Sequence, residues 1–266
     1  MKIKFETKAR TLSFLKSQNL IFNVPKGYFF SVNQWKKNKD KICEYINKNF
    51  NSLVVVRSSA LNEDTLEKSA AGSYNSYLNV KNEKKKIIKN INNVIKSYKK
   101  KKNYNLNNEI LIQDMVSNVW TSGVLFTKSI TNNSPYYVIN YDDSSGKTDK
   151  VTSGTDHYSN KVLKILRSKE KLLISPRFNK LIKVTKELEL IYQNKNLDLE
   201  FVIDNKLNIF LLQVRPLTRI KKFSFKKEFY FKINQTNKKI NKNIFNKKKI
   251  INIFGQMPDS NPAEMI

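Results

Sequence analysis

Two short apolar segments of the chain carry polar side chains that could bind a metal ion and a phosphate. Asp198 and Glu200 lie in the first segment, and Gln213 and Arg215 lie in the second. Carboxylate and amide oxygens are ligands that Mg²⁺ takes, and the planar guanidinium of arginine suits phosphate oxygens. These residue types indicate a site for a magnesium-bound nucleotide. An exposed hairpin face with ordinary charges is the alternative interpretation.

The turn between the two segments decides whether these side chains share a face. Apolar alternation predicts strands over 197–203 and 207–214. Because successive side chains of a strand point to opposite faces, a two-residue loop would gather the four polar groups on one face, whereas a three-residue loop would separate them. Asparagine tolerates the positive φ that tight loops require, so we predict a two-residue loop at 205–206, with Asp198 opposite Gln213.

A third segment places an arginine after an apolar run. Residues 53–56 are continuously apolar, as in a strand buried on both faces, and Arg57 follows them. An arginine at the mouth of a buried strand is well placed to bind phosphate through its planar fork. The small, flexible stretch 69–76 contains Gly72 and could close over a triphosphate with its backbone N–H groups. A plain surface turn is the alternative interpretation of that stretch.

Three ordered motifs resemble the nucleotide-binding domain of phosphoenolpyruvate synthases and pyruvate, phosphate dikinases, which rifampicin phosphotransferases share. The first motif, VVVRSSALNEDTLEKSAAGSYNSYLNV, spans residues 54–80, and the second, IQDMVSNVWTSGVLFT, spans residues 112–127. The third joins DLEF at 198–201 to QVRPLT at 213–218. The resemblance implies an α+β fold of the ATP-grasp type, in which two lobes hold a nucleotide between them.

The resemblance also implies which residues contact the nucleotide. They are the residues that match the family's motifs: Lys8, Arg57, Gly72, Ser76, Tyr77, Gln113, Glu200, Gln213 and Arg215. Among them, Glu200 and Gln213 would hold Mg²⁺. Arg57 and Arg215 would be the catalytic pair, because they would neutralise phosphate charge as it redistributes during transfer.

The chain departs from the family's pattern at two places. Two glycines precede the nucleotide-contacting lysine in the family, and Glu6 and Thr7 stand in their place before Lys8. The backbone path at Lys8 is therefore expected to differ. Asp142 and Asp143 lie where the family carries a glycine-rich motif, and they could take over a metal or ribose contact or form a polar turn.

Composition excludes several classes of protein. The 266-residue chain has one cysteine, Cys43, which excludes a disulfide framework and a zinc cluster, and Cys43 is expected to fill the core. No apolar run reaches the length of a signal peptide or a membrane span, so we expect a cytoplasmic location and no membrane partner. The net charge of +28 comes mostly from lysines scattered among asparagine and isoleucine, so we expect no specific nucleic-acid partner.

Periodicity divides the chain into three parts. We expect a first ATP-grasp lobe over residues 1–105, a second lobe over 106–218, and a basic, asparagine-rich tail over 219–266 that begins a further domain. The expected helices lie near 8–18, 84–101 and 177–195, and the expected strands of the two lobes near 26–31, 53–57, 110–115, 121–126 and 136–141, before the terminal hairpin.

The family's phosphate acceptor is missing from this pattern. In the family a histidine on a separate swivelling domain takes phosphate from ATP, and His157, the one histidine here, lacks the expected context. We therefore expect a MgATP-binding, ATP-dependent phosphotransferase module from a truncated or split protein. Its partner would be a phosphohistidine-carrier domain, supplied in trans or lost by truncation. The alternatives are a non-catalytic ATP-binding remnant or regulatory module, and a basic polyanion-binding protein.

Overall fold

Two antiparallel sheets, each packed against helices, form the described part of the chain. A computed structural model describes residues 4–18, 20–61, 74–100, 104–131, 133–144 and 161–218. The predicted α+β class and the predicted pair of lobes are confirmed by these two sheets. Over the same residues, every helix is too short or too polar to cross a membrane.

In the first lobe, the part that the structure describes forms four strands in the order β1-β4-β2-β3. The strands are β1 (Gly27–Ser31), β2 (Leu53–Ser59), β3 (Ser76–Lys81) and β4 (Glu109–Asp114), and the helices that pack against them are α2 (Val32–Asn49) and α3 (Lys84–Lys100). The helical period predicted for α3 is confirmed, because Ile87, Ile91 and Val94 are fully buried in the lobe's core. Cys43 fills the same core, and burial raises the pKa of its thiol.

The described residues of the second lobe form five strands in the order β7-β6-β5-β8-β9. Its elements are β5 (Val119–Phe126), β6 (Tyr136–Asp142), β7 (Lys161–Leu166), a 3-10 helix (Arg167–Leu172), α4 (Pro176–Ile191), β8 (Leu197–Asp204) and β9 (Ile209–Pro216). The apolar face of α4, which includes Leu181 and Leu188, packs into the core beneath this sheet. The amino-terminal helix α1 (Lys8–Ser17) contacts both lobes, because it packs against β9 as well as β1 and β4.

The sequence assigns the strand near 110–115 to the second lobe, and this assignment is wrong. β4 lies in the first sheet, where it pairs with β1 on one side and β2 on the other. A strand bonded on both edges is central, and its apolar sequence does not reveal which sheet receives it. We propose that the boundary between the lobes lies after Asp114 rather than at residue 105. The tail 219–266 lies outside the described residues.

The loop between β8 and β9 has three residues, 205–207, so the predicted two-residue loop is wrong. The N–H of Asp204 donates to the carbonyl of Asn208 at 3.1 Å, and the N–H of Leu207 donates to the carbonyl of Asp204 at 3.0 Å. Leu207, rather than an asparagine, takes the positive φ of this turn, 62°. The side chain of Asp204 supports the turn by accepting from the N–H groups of Lys206 and Asn208.

A bulge at Leu212 compensates for the longer loop. The longer loop shifts the register by one residue, which would place the acids and the Gln/Arg pair on opposite faces. The extra residue Leu212 shifts it by one more, so that Asp198 lies opposite Arg215 and Glu200 lies opposite Gln213. The predicted pairing of Asp198 with Gln213 is therefore wrong, but the predicted common face is present.

β5 and β6 approach each other closely at Gly123. A Cβ at this position would lie 2.2 Å from the carbonyl oxygen of Asn140, which is backbone and cannot move aside cheaply. We expect Gly123→Ala to lower the free energy of unfolding by about 1–3 kcal/mol in chemical denaturation. At Gly27 a Cβ would lie 3.4 Å from the side chain of Leu111, an ordinary contact.

Gly27→Ala is therefore the matched control, and we expect it to change stability by less than about 1 kcal/mol. Equal effects of the two substitutions would contradict the close approach of β5 and β6.

Candidate functional site

A cleft of about 1300 Å³ is lined by residues of both lobes. Eight of the nine candidate residues line it: Lys8, Arg57, Ser76, Tyr77, Gln113, Glu200, Gln213 and Arg215. Gly72 and His157 lie outside the described residues. The structure thus brings together candidate residues that are up to about 200 positions apart in the chain.

Arg57 connects the two lobes at the cleft. Its Nη2 donates to the Glu200 carboxylate at 2.6 Å, and its Nη1 donates to the carbonyl oxygen of Leu212 at 2.8 Å. A bulge leaves its extra residue unpaired in the ladder, which makes the Leu212 carbonyl available to Arg57. Arg57 lies inside β2, which continues to Ser59, rather than at the strand's end as the sequence predicts.

Glu200 is ionised in this environment. Burial raises the pKa of its carboxyl, but the positive charges of Arg57, Lys8 and Arg215 outweigh that effect, and the pKa lies below its ordinary value of 4.5. The Arg57–Glu200 pair is largely shielded from water, with 11% and 17% of the two side chains exposed. A carboxylate in this state is a hard oxygen ligand as well as a partner for arginine.

A second ion pair lies two residues along the same face. The Nε of Arg215 donates to Oδ2 of Asp198 at 2.7 Å, and its Nη2 lies 2.6 Å from the same oxygen. Asp198 is buried and lines the cleft. The resemblance did not place Asp198 among the nucleotide contacts, but the alternation of β8 puts it on the same face as Glu200. We therefore add Asp198 to the candidate site.

The remaining candidates approach the cleft from the first lobe. Lys8 is the first residue of α1, and its side chain is buried. Gln113 is buried in β4. Ser76 and Tyr77 begin β3, so Ser76 belongs to a strand that the sequence did not reveal. The Tyr77 hydroxyl accepts from the side-chain amide of Asn75 at 2.9 Å.

The oxygen atoms of the cleft fit a magnesium ion. Glu200 and Gln213 face each other across the β8–β9 pair, and Asp198 lies two residues away on the same face. Mg²⁺ takes one or two carboxylates from a protein and completes its shell with phosphate oxygens and water. Among the described residues, no group of three or more His, Cys, Asp or Glu could hold a metal ion. A magnesium ion here would therefore need ligands from a bound phosphate.

Asp142 and Asp143, which stand where the family has a glycine-rich motif, do not line the cleft. Asp142 accepts from the backbone N–H of Ser144 at 2.9 Å, as in a polar turn. Asp143 pairs with Lys161 and with Arg177, both at 2.7 Å. These contacts favour the polar-turn interpretation over a metal or ribose contact.

Sequence reasoning also missed an apolar wall. Apolar side chains line the cleft beside the polar face: Met115, Val116, Val124, Phe126 and Ile130. Their only signal in the sequence is their position in and beside the second motif.

Two α+β lobes with a cleft between them are the ATP-grasp arrangement, so the predicted fold class is confirmed. Residues 32–146 match the family model described as the pyruvate phosphate dikinase AMP/ATP-binding domain. This match confirms the resemblance that the motifs indicate, and it covers Arg57 and Gln113 but not the β8–β9 hairpin. No curated protein sequence matches the chain.

Several solved ligases are similar to the chain at low sequence identity and low TM-score. The D-alanine–D-alanine ligase from Helicobacter pylori is 14% identical, with a TM-score of 0.44 over 79% of this chain and 54% of the ligase. The corresponding ligase from Coxiella burnetii is 8% identical, with a TM-score of 0.46 over 84% of this chain and 51% of the ligase. The chain thus spans about half the length of these ligases.

The lowered pKa of Glu200 predicts an acid-dependent stability. Since the folded-state pKa is depressed, the ion pair's contribution is complete above the ordinary value of 4.5 and is lost as the pH falls through the folded-state pKa. We expect Glu200→Gln to be less stable than the wild type at pH 7, with the difference shrinking as the pH falls below 4.5 and vanishing once the pH is below the folded-state pKa. Urea denaturation at several pH values measures this, and a difference that is independent of pH would contradict the ionised state of Glu200.

Proposed function

We propose that this chain binds MgATP in the cleft and donates a phosphate from ATP to a histidine of a carrier domain. It would act as the ATP-dependent phosphotransferase, or kinase, module of a phosphoenolpyruvate synthase-like protein. The observation that carries the proposal is the arrangement of the two Arg–carboxylate pairs, Arg57–Glu200 and Arg215–Asp198, with Gln213 on one face of the cleft. The match to an AMP/ATP-binding domain model supports nucleotide binding.

The two ion pairs suit a bound nucleotide because its phosphate oxygens can replace the carboxylate at each arginine, and Mg²⁺ can replace Arg57 as the partner of Glu200. Separating a buried ion pair is costly when either charge is left without a partner. Phosphate oxygens can replace the carboxylates as partners of Arg57 and Arg215, through the bidentate bonds that arginine forms with phosphate. Glu200 and Gln213 would then hold Mg²⁺, which supplies positive charge to the phosphates.

The chain's own residues would stabilise transfer by charge and position. Phosphoryl transfer spreads negative charge over the phosphate oxygens, and fixed positive groups lower the energy of that arrangement. The family resemblance implies this role for Arg57 and Arg215 and a nucleotide contact for Lys8, and all three residues line the cleft. The apolar wall around Val124 and Phe126 offers a surface for the nucleotide base.

The acceptor would come from a separate domain. The described residues contain no histidine, and His157 lies outside them. The replacement of two family glycines by Glu6 and Thr7 favours a second candidate, a non-catalytic ATP-binding remnant or regulatory module. Phosphate transfer to a carrier domain distinguishes the two candidates, because only the first transfers phosphate.

ATP binding is tested by thermal stability and by arginine variants. MgATP at 100 times its dissociation constant should stabilise the folded chain by about 2.7 kcal/mol and raise its melting temperature. Arg57→Lys and Arg215→Lys keep the charge but lose the planar fork, so each should weaken ATP binding about tenfold or more. Arg177→Lys is the matched control, since Arg177 is also shielded and paired with an aspartate but does not line the cleft.

Calorimetric titration with MgATP measures the three variants. Equal, negligible effects of all three substitutions would place the phosphates elsewhere. A thermal shift with DNA but none with MgATP would favour polyanion binding, the alternative that the charge of +28 raises.

Phosphate transfer is tested with ATP labelled at its phosphates. Transfer needs donor and acceptor in line at near-contact distance, so the isolated chain should hydrolyse ATP slowly at most and should make no phosphoenolpyruvate from pyruvate. Adding a phosphohistidine-carrier domain should move the label onto that domain. Efficient labelling of His157 in the isolated chain, lost in His157→Ala, would contradict the need for a separate carrier.

A further inference from the structure

A buried carboxylate, Glu109, holds the first turn of α1 on both sides of Lys8. Its Oε2 accepts from the hydroxyl of Thr7, and its Oε1 accepts from Nε of Arg10 at 2.6 Å. Glu109 is only 2% exposed and lies in β4, between β1 and β2. Both carboxylate oxygens are therefore bound by residues that flank Lys8 in the sequence.

Further bonds fix the same turn. The hydroxyl of Thr7 caps α1 by accepting from the N–H of Arg10 at 3.3 Å. The N–H of Ala9 donates to Oγ of Ser59 at 3.0 Å, which ties the turn to β2. The start of α1 is thus attached to two neighbouring strands of the first sheet, β2 and β4.

The anchored turn directs Lys8 into the cleft. Its Nζ lies 3.5 Å from the carbonyl oxygen of Ser58, and its charge acts on Glu200 across the cleft. A lysine side chain is flexible, with about 2 kcal/mol of rotamer entropy, and it lacks the planar guanidinium of arginine. The position of its backbone therefore sets the region that its ammonium group can reach. The contacts of Glu109, together with the bond from Ala9 to Ser59, hold that backbone position.

We propose that Glu109 is a positioning residue, which acts through Thr7 and Arg10 to hold Lys8 against the phosphates of a bound nucleotide. The inference rests on the proposed nucleotide site. Glu109 itself would not touch the nucleotide, since it does not line the cleft. Its effect on binding would therefore depend on the presence of Lys8.

A double-mutant cycle tests this dependence. Calorimetry would measure the ATP affinity of the wild type, Lys8→Met, Glu109→Gln and the double variant, each with Mg²⁺. We expect each single substitution to weaken binding about tenfold, and the double variant to bind no more weakly than Lys8→Met. Glu109→Gln should fold, because the side chain of Arg10 is 53% exposed and keeps its charge solvated.

Glu189→Gln is the matched control. Glu189 is also a buried carboxylate bound by an arginine, with Arg167 at 2.6 Å, and it does not line the cleft. We expect its ATP affinity to equal that of the wild type. If Glu109→Gln fails to fold by circular dichroism, Thr7→Ala removes one of the two bonds to Glu109 and takes its place in the cycle.

The outcomes separate the inference from the proposed function. Wild-type affinity in Glu109→Gln, or in Thr7→Ala where it takes its place, would overturn the positioning role. So would a double variant about a hundredfold weaker than the wild type, because independent losses multiply. A wild-type chain without measurable ATP affinity would overturn the proposed function, and the positioning role with it.

Discussion

The contact of Arg57 with Glu200 and the Leu212 carbonyl is the interaction on which the candidate site depends. It links residues 143 and 155 positions apart and joins the first sheet to the second. Hydrogen bonds that involve a charged group contribute about 1.5–3 kcal/mol each, and more is lost when one partner of a shielded pair is removed. Together with the packing of α1 against both lobes, this contact sets the separation of the lobes at the cleft, and so the relative placement of Lys8 and Gln213, before a nucleotide binds.

Much of the local structure could be predicted because periodicity depends on neighbouring residues. The apolar period of α3 and the alternation of β8 and β9 reflect which side chains are buried. The common face of the β8–β9 hairpin was predicted through two errors that cancel, a loop one residue too short and an unforeseen bulge at Leu212. Bulges leave no clear mark in a sequence, so the register could not be derived from it.

Long-range placement could not be predicted from the residues alone. The sequence of β4 does not reveal that the strand belongs to the first sheet. The residues around Arg57 do not reveal its pairing with Glu200 either. Only the family resemblance placed these residues in one site. The structure explains why Thr7 stands where the family has a glycine. The hydroxyl of Thr7 caps α1 and donates to Glu109, and glycine has no side chain to do either.

We propose that the phosphates of a magnesium-bound nucleotide replace the carboxylates as partners of Arg57 and Arg215. The most direct measurement is a crystal structure of the chain with Mg²⁺ and a non-hydrolysable ATP analogue. The account predicts phosphate density against Arg57 and Arg215, and a metal ion coordinated by Glu200 and Gln213. Nucleotide bound outside the cleft, or bound within it while Arg57 remains paired with Glu200 and Arg215 with Asp198, would contradict the account.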